Sequence, residues 1–204
     1  MSNTVWRNWS RTYEVTPVRL ASPASLQDLV SAVQAAIAEG LHVKAVGAGH
    51  SFSPIAEAAG LQVNLDRMSG LLSIDKARRQ VTLGAGTRLR QIPALLAPHG
   101  LAMENLGDID TQSIAGAIST GTHGTGAGFR GIAAQVVGAV LVTGAGDVLR
   151  VNAEHNARLL PAVALGLGAL GILAEVTIAC VDAFDLAAVE RPEPIEAVLE
   201  NLPE

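Results

Sequence analysis

The chain has 204 residues, of which 49% are hydrophobic and 16% charged, and it carries a net charge of -5. That length supports one large domain or two small interlocked lobes with a real core, and the composition excludes intrinsic disorder. The acidic balance argues against a nucleic-acid backbone as partner. Aromatic residues are only 3%, so apolar bulk comes from Ala, Val, Leu and Ile. The single cysteine, Cys180, lies in an alternating apolar run and reads as a buried thiol. Residues 1–16 lack the apolar core of a secretory signal, and no window reaches the ~18 uninterrupted apolar residues of a membrane span. A soluble, cytoplasmic protein is expected, with peripheral membrane association left open and no metal site.

Residues 18–20 favour a short strand. Ser25, with Asp28 three positions on, opens a helix in the manner of a capping box; Leu26, Leu29, Val30, Val33 and Ile37 follow at helical spacing and Gly40 ends it. Residues 43–46 form the next strand. The resulting βαβ unit delivers a glycine turn at a strand's C-terminal end, where α/β folds bind ligands. That stretch, residues 46–54, reads Val-Gly-Ala-Gly-His-Ser-Phe-Ser-Pro. Gly47 and Gly49 permit positive φ and remove the Cβ that would hold a ligand off, so several N–H groups can point into one concave turn suited to a pyrophosphate. His50 on the rim can hydrogen-bond or act as a nucleophile. Taken alone, these nine residues fit a tight strand-exit turn equally well.

Short strands follow at 61–65, 71–74 and 80–83, separated by turn formers. Thr87 is placed to cap a second helix carrying Leu89, Ile92, Leu95 and Leu96, closed by His99 and Gly100. Residues 107–126, GDIDTQSIAGAISTGTHGTG, are the second informative stretch. A short helix from Thr111 through Ile118 is anchored by Ile114 and Ile118, yet Ala115, Gly116, Ala117 and Ser119 give it almost no bulk. A thin element followed by Thr120, Gly121, Thr122 and His123 lets backbone donors and hydroxyls lie flat against a large planar or phosphorylated ligand. Residues 136–142 and 148–151 flank a hairpin turn. A helix from about Asn156 toward Leu165 must hold Pro161 in its first turn. Residues 166–171, Gly-Leu-Gly-Ala-Leu-Gly, match the dinucleotide pattern by letter but follow a helix and lead into a strand at 172–181, so they read as a helix-to-strand junction. Beyond Asp182 charges return, and Pro192 and Pro194 break regularity.

Three stretches in this order, 46–54, 112–126 and 166–177, closely resemble the FAD-binding (PCMH-type) domain of the vanillyl-alcohol oxidase flavoprotein superfamily. Within it they look most like the sugar-1,4-lactone branch of L-gulonolactone and D-arabinonolactone oxidases and dehydrogenases. Asn8-Trp9-Ser10 and residues 17–23 are similar to that branch too. The resemblance implies an α+β fold with FAD extended between two lobes. Lobe one, about 16–75, would hold the βαβ unit; lobe two, about 76–182, would be a mixed or antiparallel sheet with helices. Residues 1–15 would be an N-terminal segment, and 183–204 a linker or the start of a C-terminal substrate domain.

The same resemblance places Gly47, Ala48, Gly49, Ser51 and Phe52 around the pyrophosphate and gives His50 the covalent bond to the flavin 8α-methyl. Gly107, Asp108, Ser113, Gly116, Thr120, Gly121 and His123 would line the isoalloxazine and ribityl side, and Ile172 and Val176 the adenine end through their backbones. His123 is also the candidate catalytic base, with a hydrogen-bonding scaffold as the alternative. The implied activity is FAD-dependent oxidation of the CH–OH group of a sugar-1,4-lactone. An alditol (polyol) oxidase and a flavin-binding module without turnover are the rivals. Gly107, lacking a Cβ, would leave room for dioxygen as electron acceptor, which favours an oxidase. Apolar surface left by an absent substrate domain would promote self-association.

Overall fold

The computed structural model describes residues 4–201. A small antiparallel hairpin, β1 (Trp6–Arg7) and β2 (Glu14–Val15), precedes β3 (Arg19–Ala21), helix α1 (Leu26–Ala38), β4 (Val43–Val46) and β5 (Leu61–Asn64). β3, β5 and β4 form a parallel sheet in that spatial order. The expected βαβ unit is therefore present, with β5 inserted between its two strands. Local chemistry starts and stops its helix: Ser25 Oγ accepts from the Asp28 N–H at 3.1 Å, and Asp28 Oδ2 accepts from the Ala24 N–H at 3.0 Å. Gly40 takes φ +66 just beyond the end, the left-handed conformation that glycine adopts freely. Leu29, Val33 and Ala36 form the buried stripe, each Leu or Val contributing about 2 kcal/mol of burial.

The second lobe holds β6 (Leu71–Asp75), β7 (Gln80–Gly84), α2 (Ile92–Leu96), β8 (Leu101–Ala102), α3 (Ile114–Ser119), β9 (Val136–Val142), β10 (Val148–Asn152), α4 (Leu160–Ala164), β11 (Ile172–Ala179) and β12 (Val181–Asp182). Its five-stranded sheet runs β10-β9-β11-β7-β6, every pair antiparallel. β12 pairs with β8 in a separate ribbon. This is the α+β arrangement expected, but the chain leaves lobe one earlier than residue 75. β6 pairs with β7 across the tight turn 76–79, so the crossing falls at 65–70, where Gly70 adopts φ +100. Antiparallel neighbours joined by a short turn pair with little loop-closure entropy, which keeps β6 with β7.

Thr87 does not cap the helix after it. Its hydroxyl donates to Gly84 O at 2.6 Å and accepts from the Gly70 N–H at 2.9 Å, pinning the crossing to β7. The helical stretch starts at Leu89, and Gln91 Oε1 accepts from the Arg88 N–H at 2.8 Å. Pro161 sits in the first turn of α4, as its missing N–H requires. Residues 166–171 are the expected helix-to-strand junction: Leu167, Gly168 and Gly171 have φ of 52, 75 and 144. One apolar cluster joins the lobes, with Leu29, Leu61 and Val63 from the first and Val81, Leu83, Val176 and Ile178 from the second. Helix α5 (Ile195–Glu200) buries none of its side chains.

Candidate functional site

A cavity of about 750 Å³ lies between the lobes, within the range of roughly 300–1,000 Å³ that small-molecule and cofactor sites occupy. One wall is β4 and the glycine turn it delivers, through Val46, Gly47, Ala48, Gly49, His50 and Ser51. The facing wall is the thin helix α3 with its N-cap, through Ser113, Gly116 and Thr120. The hairpin turn Thr143-Gly144, the 167–169 junction and Ile172 close the second lobe's share, and Val33 and Ile37 of α1 flank the first. Ser113 Oγ accepts from the Gly116 N–H at 3.3 Å and so caps α3. A Cβ on Gly47 would stand 2.5 Å from that same Oγ. The turn and the start of α3 thus meet closely enough that any side chain at residue 47 would fill the cradle between them. Of the two glycines, only Gly49 uses the left-handed region, at φ +69.

His50 sits half-buried where this turn leaves the cavity. Its Nε2 lies 2.8 Å from Thr111 Oγ1. The Trp9 ring stacks on the imidazole, with centroids 5.0 Å apart and planes 21° from parallel. Phe52 meets Trp9 edge-on at 6.1 Å. Cys180 does not line this cavity, and burial pushes its thiol up to about 11.

Residues 17–152 match the FAD binding domain family. The chain belongs to that family. L-gulonolactone oxidase of Bos taurus is 36% identical to this chain over 197 residues, covering 97% of this chain and 45% of the relative. D-arabinono-1,4-lactone oxidase of Eremothecium gossypii is 35% identical over 203 residues, 98% of this chain and 38% of the relative. L-gulono-1,4-lactone dehydrogenase of Mycobacterium tuberculosis is 36% identical over 200 residues, 98% of this chain and 46% of the relative. The FAD-binding domain described here therefore spans less than half the length of these relatives, which are of the branch its motifs resemble. Among solved structures, 6-hydroxy-D-nicotine oxidase from Arthrobacter nicotinovorans shares its fold at a TM-score of 0.71 and 24% identity, over 80% of this chain and 36% of that one.

The residues present fit FAD. The glycine cradle has room for a backbone-bound pyrophosphate, the thin α3 would let a large planar group lie close, and the cavity runs through both lobes as an extended dinucleotide requires. The structure gathers Gly47, Ala48, Gly49, His50, Ser51, Ser113, Gly116, Thr120 and Ile172 around this cavity. Phe52, Gly107, Asp108, Gly121, His123 and Val176 lie outside its lining. Phe52 is exposed and turned toward Trp9. Val176 is fully buried in the middle of β11, paired with Leu83 on β7 and Ala139 on β9, so its backbone serves the sheet and not an adenine ring. A Cβ on Gly107 would come 2.6 Å from Thr122 Cγ2, so packing against Thr122 is a second reason for glycine there. Gly121 holds φ +72 against Leu165. Asp108 and His123 are exposed, and His123 Nδ1 lies 2.8 Å from Gly124 O.

Sequence reasoning missed Lys44, Gln112, Ile37 and the 167–169 junction as cavity residues. Lys44 donates from Nζ to Ile55 O at 2.6 Å, and Gln112 Oε1 accepts from Thr122 Oγ1 at 3.1 Å, so both brace the wall they line. In the sequence Ile37 simply continues the apolar face of α1; only the structure shows it 46% exposed beside the cavity.

Proposed function

We propose that this FAD-binding domain is the flavin half of an oxidoreductase that oxidises the CH–OH group of a sugar-1,4-lactone, with His50 as the covalent anchor of the flavin. The relatives' names support the substrate class. The observation that carries the anchor is His50 itself, held against Thr111 at the end of the glycine cradle. Bound FAD supplies the hydride acceptor, and dioxygen or another oxidant removes the electrons after each cycle.

Gly47, Ala48, Gly49 and Ser51 would hold the pyrophosphate region, and Ser113, Gly116 and Thr120 on and beside α3 would admit the ribityl and ring portions. His50 fixes the ring end. As the anchor, His50 would exchange its imidazole N–H for a bond to the flavin 8α-methyl carbon, which would lose one C–H, with dioxygen as the two-electron oxidant carrying both hydrogens away as hydrogen peroxide. Such a link would withdraw electron density from the ring and so raise its readiness to accept hydride. His123, exposed and paired with its neighbour's carbonyl, fits the scaffold role better than that of a base.

The test is anaerobic mixing of the flavin-loaded chain with aldonolactones and with alditols. Bleaching of the visible flavin band by lactones is the expected result. Bleaching by alditols alone would overturn the substrate class, and a folded chain that stays colourless with FAD would overturn the cofactor assignment.

A further inference from the structure

We infer that the N-terminal hairpin is a positioning clamp for His50 and that Trp9 sets the plane of its imidazole for attachment to the flavin, a role that rests on the His50 anchor proposed above. The anchor concerns which atom is bonded; the clamp concerns what holds that atom ready.

The hairpin grips the backbone on both sides of His50. The Trp9 N–H donates to Gly49 O at 2.8 Å, and Asn8 Nδ2 donates to Ser51 O at 3.1 Å. Asn8 is only 3% exposed, and its other side-chain contacts fold the hairpin's own turn: Nδ2 lies 2.9 Å from Ser10 Oγ and 3.1 Å from Thr12 Oγ1, while Oδ1 accepts from the Tyr13 N–H at 3.0 Å. A buried amide with its polar atoms satisfied in this way is a rigid strut. Gly49 makes the approach possible, because a Cβ there would press within 3.2 Å of Trp6 Cζ2.

The imidazole is then held on two further sides. Thr111 Oγ1 meets one edge at Nε2, and the Trp9 indole covers one face. A histidine's terminal torsion is broad and roughly two-fold when nothing restrains it. Stacking on Trp9 removes that freedom, as a reacting group needs its rotamer locked by packing. Trp9 itself is 62% exposed, an arrangement that core packing does not explain for so large an apolar side chain. The hairpin's hydrogen bonds reach the backbone of Gly49 and Ser51, whereas the Trp9 ring meets His50 and Phe52, so replacing that side chain probes the anchor while leaving the backbone grip on the turn in place.

The test uses the 204-residue chain as apoprotein mixed with FAD, with acid-stable flavin followed over time in wild type, Trp9→Ala and Trp9→Phe. Melting curves check the fold, and Trp9→Leu serves if Trp9→Ala unfolds. We expect attachment in Trp9→Ala to slow by roughly tenfold to a hundredfold, the scale of loss when a reacting group is misplaced by about an ångström, and Trp9→Phe to recover most of the rate. In a His50→Ala background, adding Trp9→Ala should change non-covalent FAD affinity by less than about twofold, since the two sites then have no interaction left to break. Attachment at the wild-type rate in Trp9→Ala would overturn the clamp. So would a large affinity loss in the His50→Ala background, which would make Trp9 a direct flavin contact. Wild type without acid-stable flavin sinks the anchor itself and the clamp with it, and is distinguished from the other results by the first sample.

Discussion

Gly47→Ala tests the cradle in isolation. Gly47 does not adopt a left-handed φ, so the substitution brings no backbone strain and asks only whether there is room. There is not: the new Cβ would stand 2.5 Å from Ser113 Oγ, well inside ordinary van der Waals contact. Ser113 must rotate away, which breaks its 3.3 Å cap on the Gly116 N–H, or the turn must withdraw from α3. Loss of a serine N-cap costs about 0.5–2 kcal/mol, and overpacking costs about 1–3 kcal/mol. The added methyl would also occupy the surface that the proposed pyrophosphate cradle presents to its ligand. Taking about 1.4 kcal/mol per tenfold, FAD affinity should fall by about tenfold to a hundredfold, with a lower melting temperature. The assay is titration with FAD by quenching of flavin fluorescence, in a His50→Ala background so that no tether masks a weaker equilibrium. An affinity within about twofold of the parent, the scatter expected between independent sites, would refute the reading of this turn as the pyrophosphate cradle.

His50→Ala alone should abolish flavin fluorescence on the denatured polypeptide while leaving non-covalent binding measurable, and fluorescence that persists would move the anchor elsewhere. Val176→Ala should cost about 2 kcal/mol of stability with FAD affinity unchanged in the folded fraction; a selective affinity loss would restore Val176 to the site. Burial raises the Cys180 thiol from 9.0 to about 11, so between those values the unfolded chain is deprotonated while the native chain keeps its proton. Stability should therefore fall as pH rises through that window, and Cys180→Ala, compared by urea unfolding across it, should remove this part of the slope. At neutral pH a thiol reagent should label Cys180 only when the chain unfolds, and rapid labelling of the native protein would contradict its burial.

What the amino-acid order determined is what depends on neighbours a few residues apart. Ser25, Asp28 and Gly40 begin and end α1 by contacts within a turn, the 136–142 and 148–151 runs find each other across five residues, and Pro161 marks the start of α4. The glycine turn and the thin α3 were equally legible, because absent side chains are visible as letters.

The tertiary structure alone decided which of these elements meet. β5 enters between β3 and β4, and β6 stays with β7, because strand partners are chosen by burial and loop closure over the whole chain. Ile172 and Val176 lie on the same strand, four residues apart, yet only the first lines the cavity; the second is fully buried in the middle of the sheet. Trp9 and His50 are far apart in the chain and stacked in space. Local periodicity carries no information about such pairings, since a packed contact between distant segments depends on the shape of everything that folds between them.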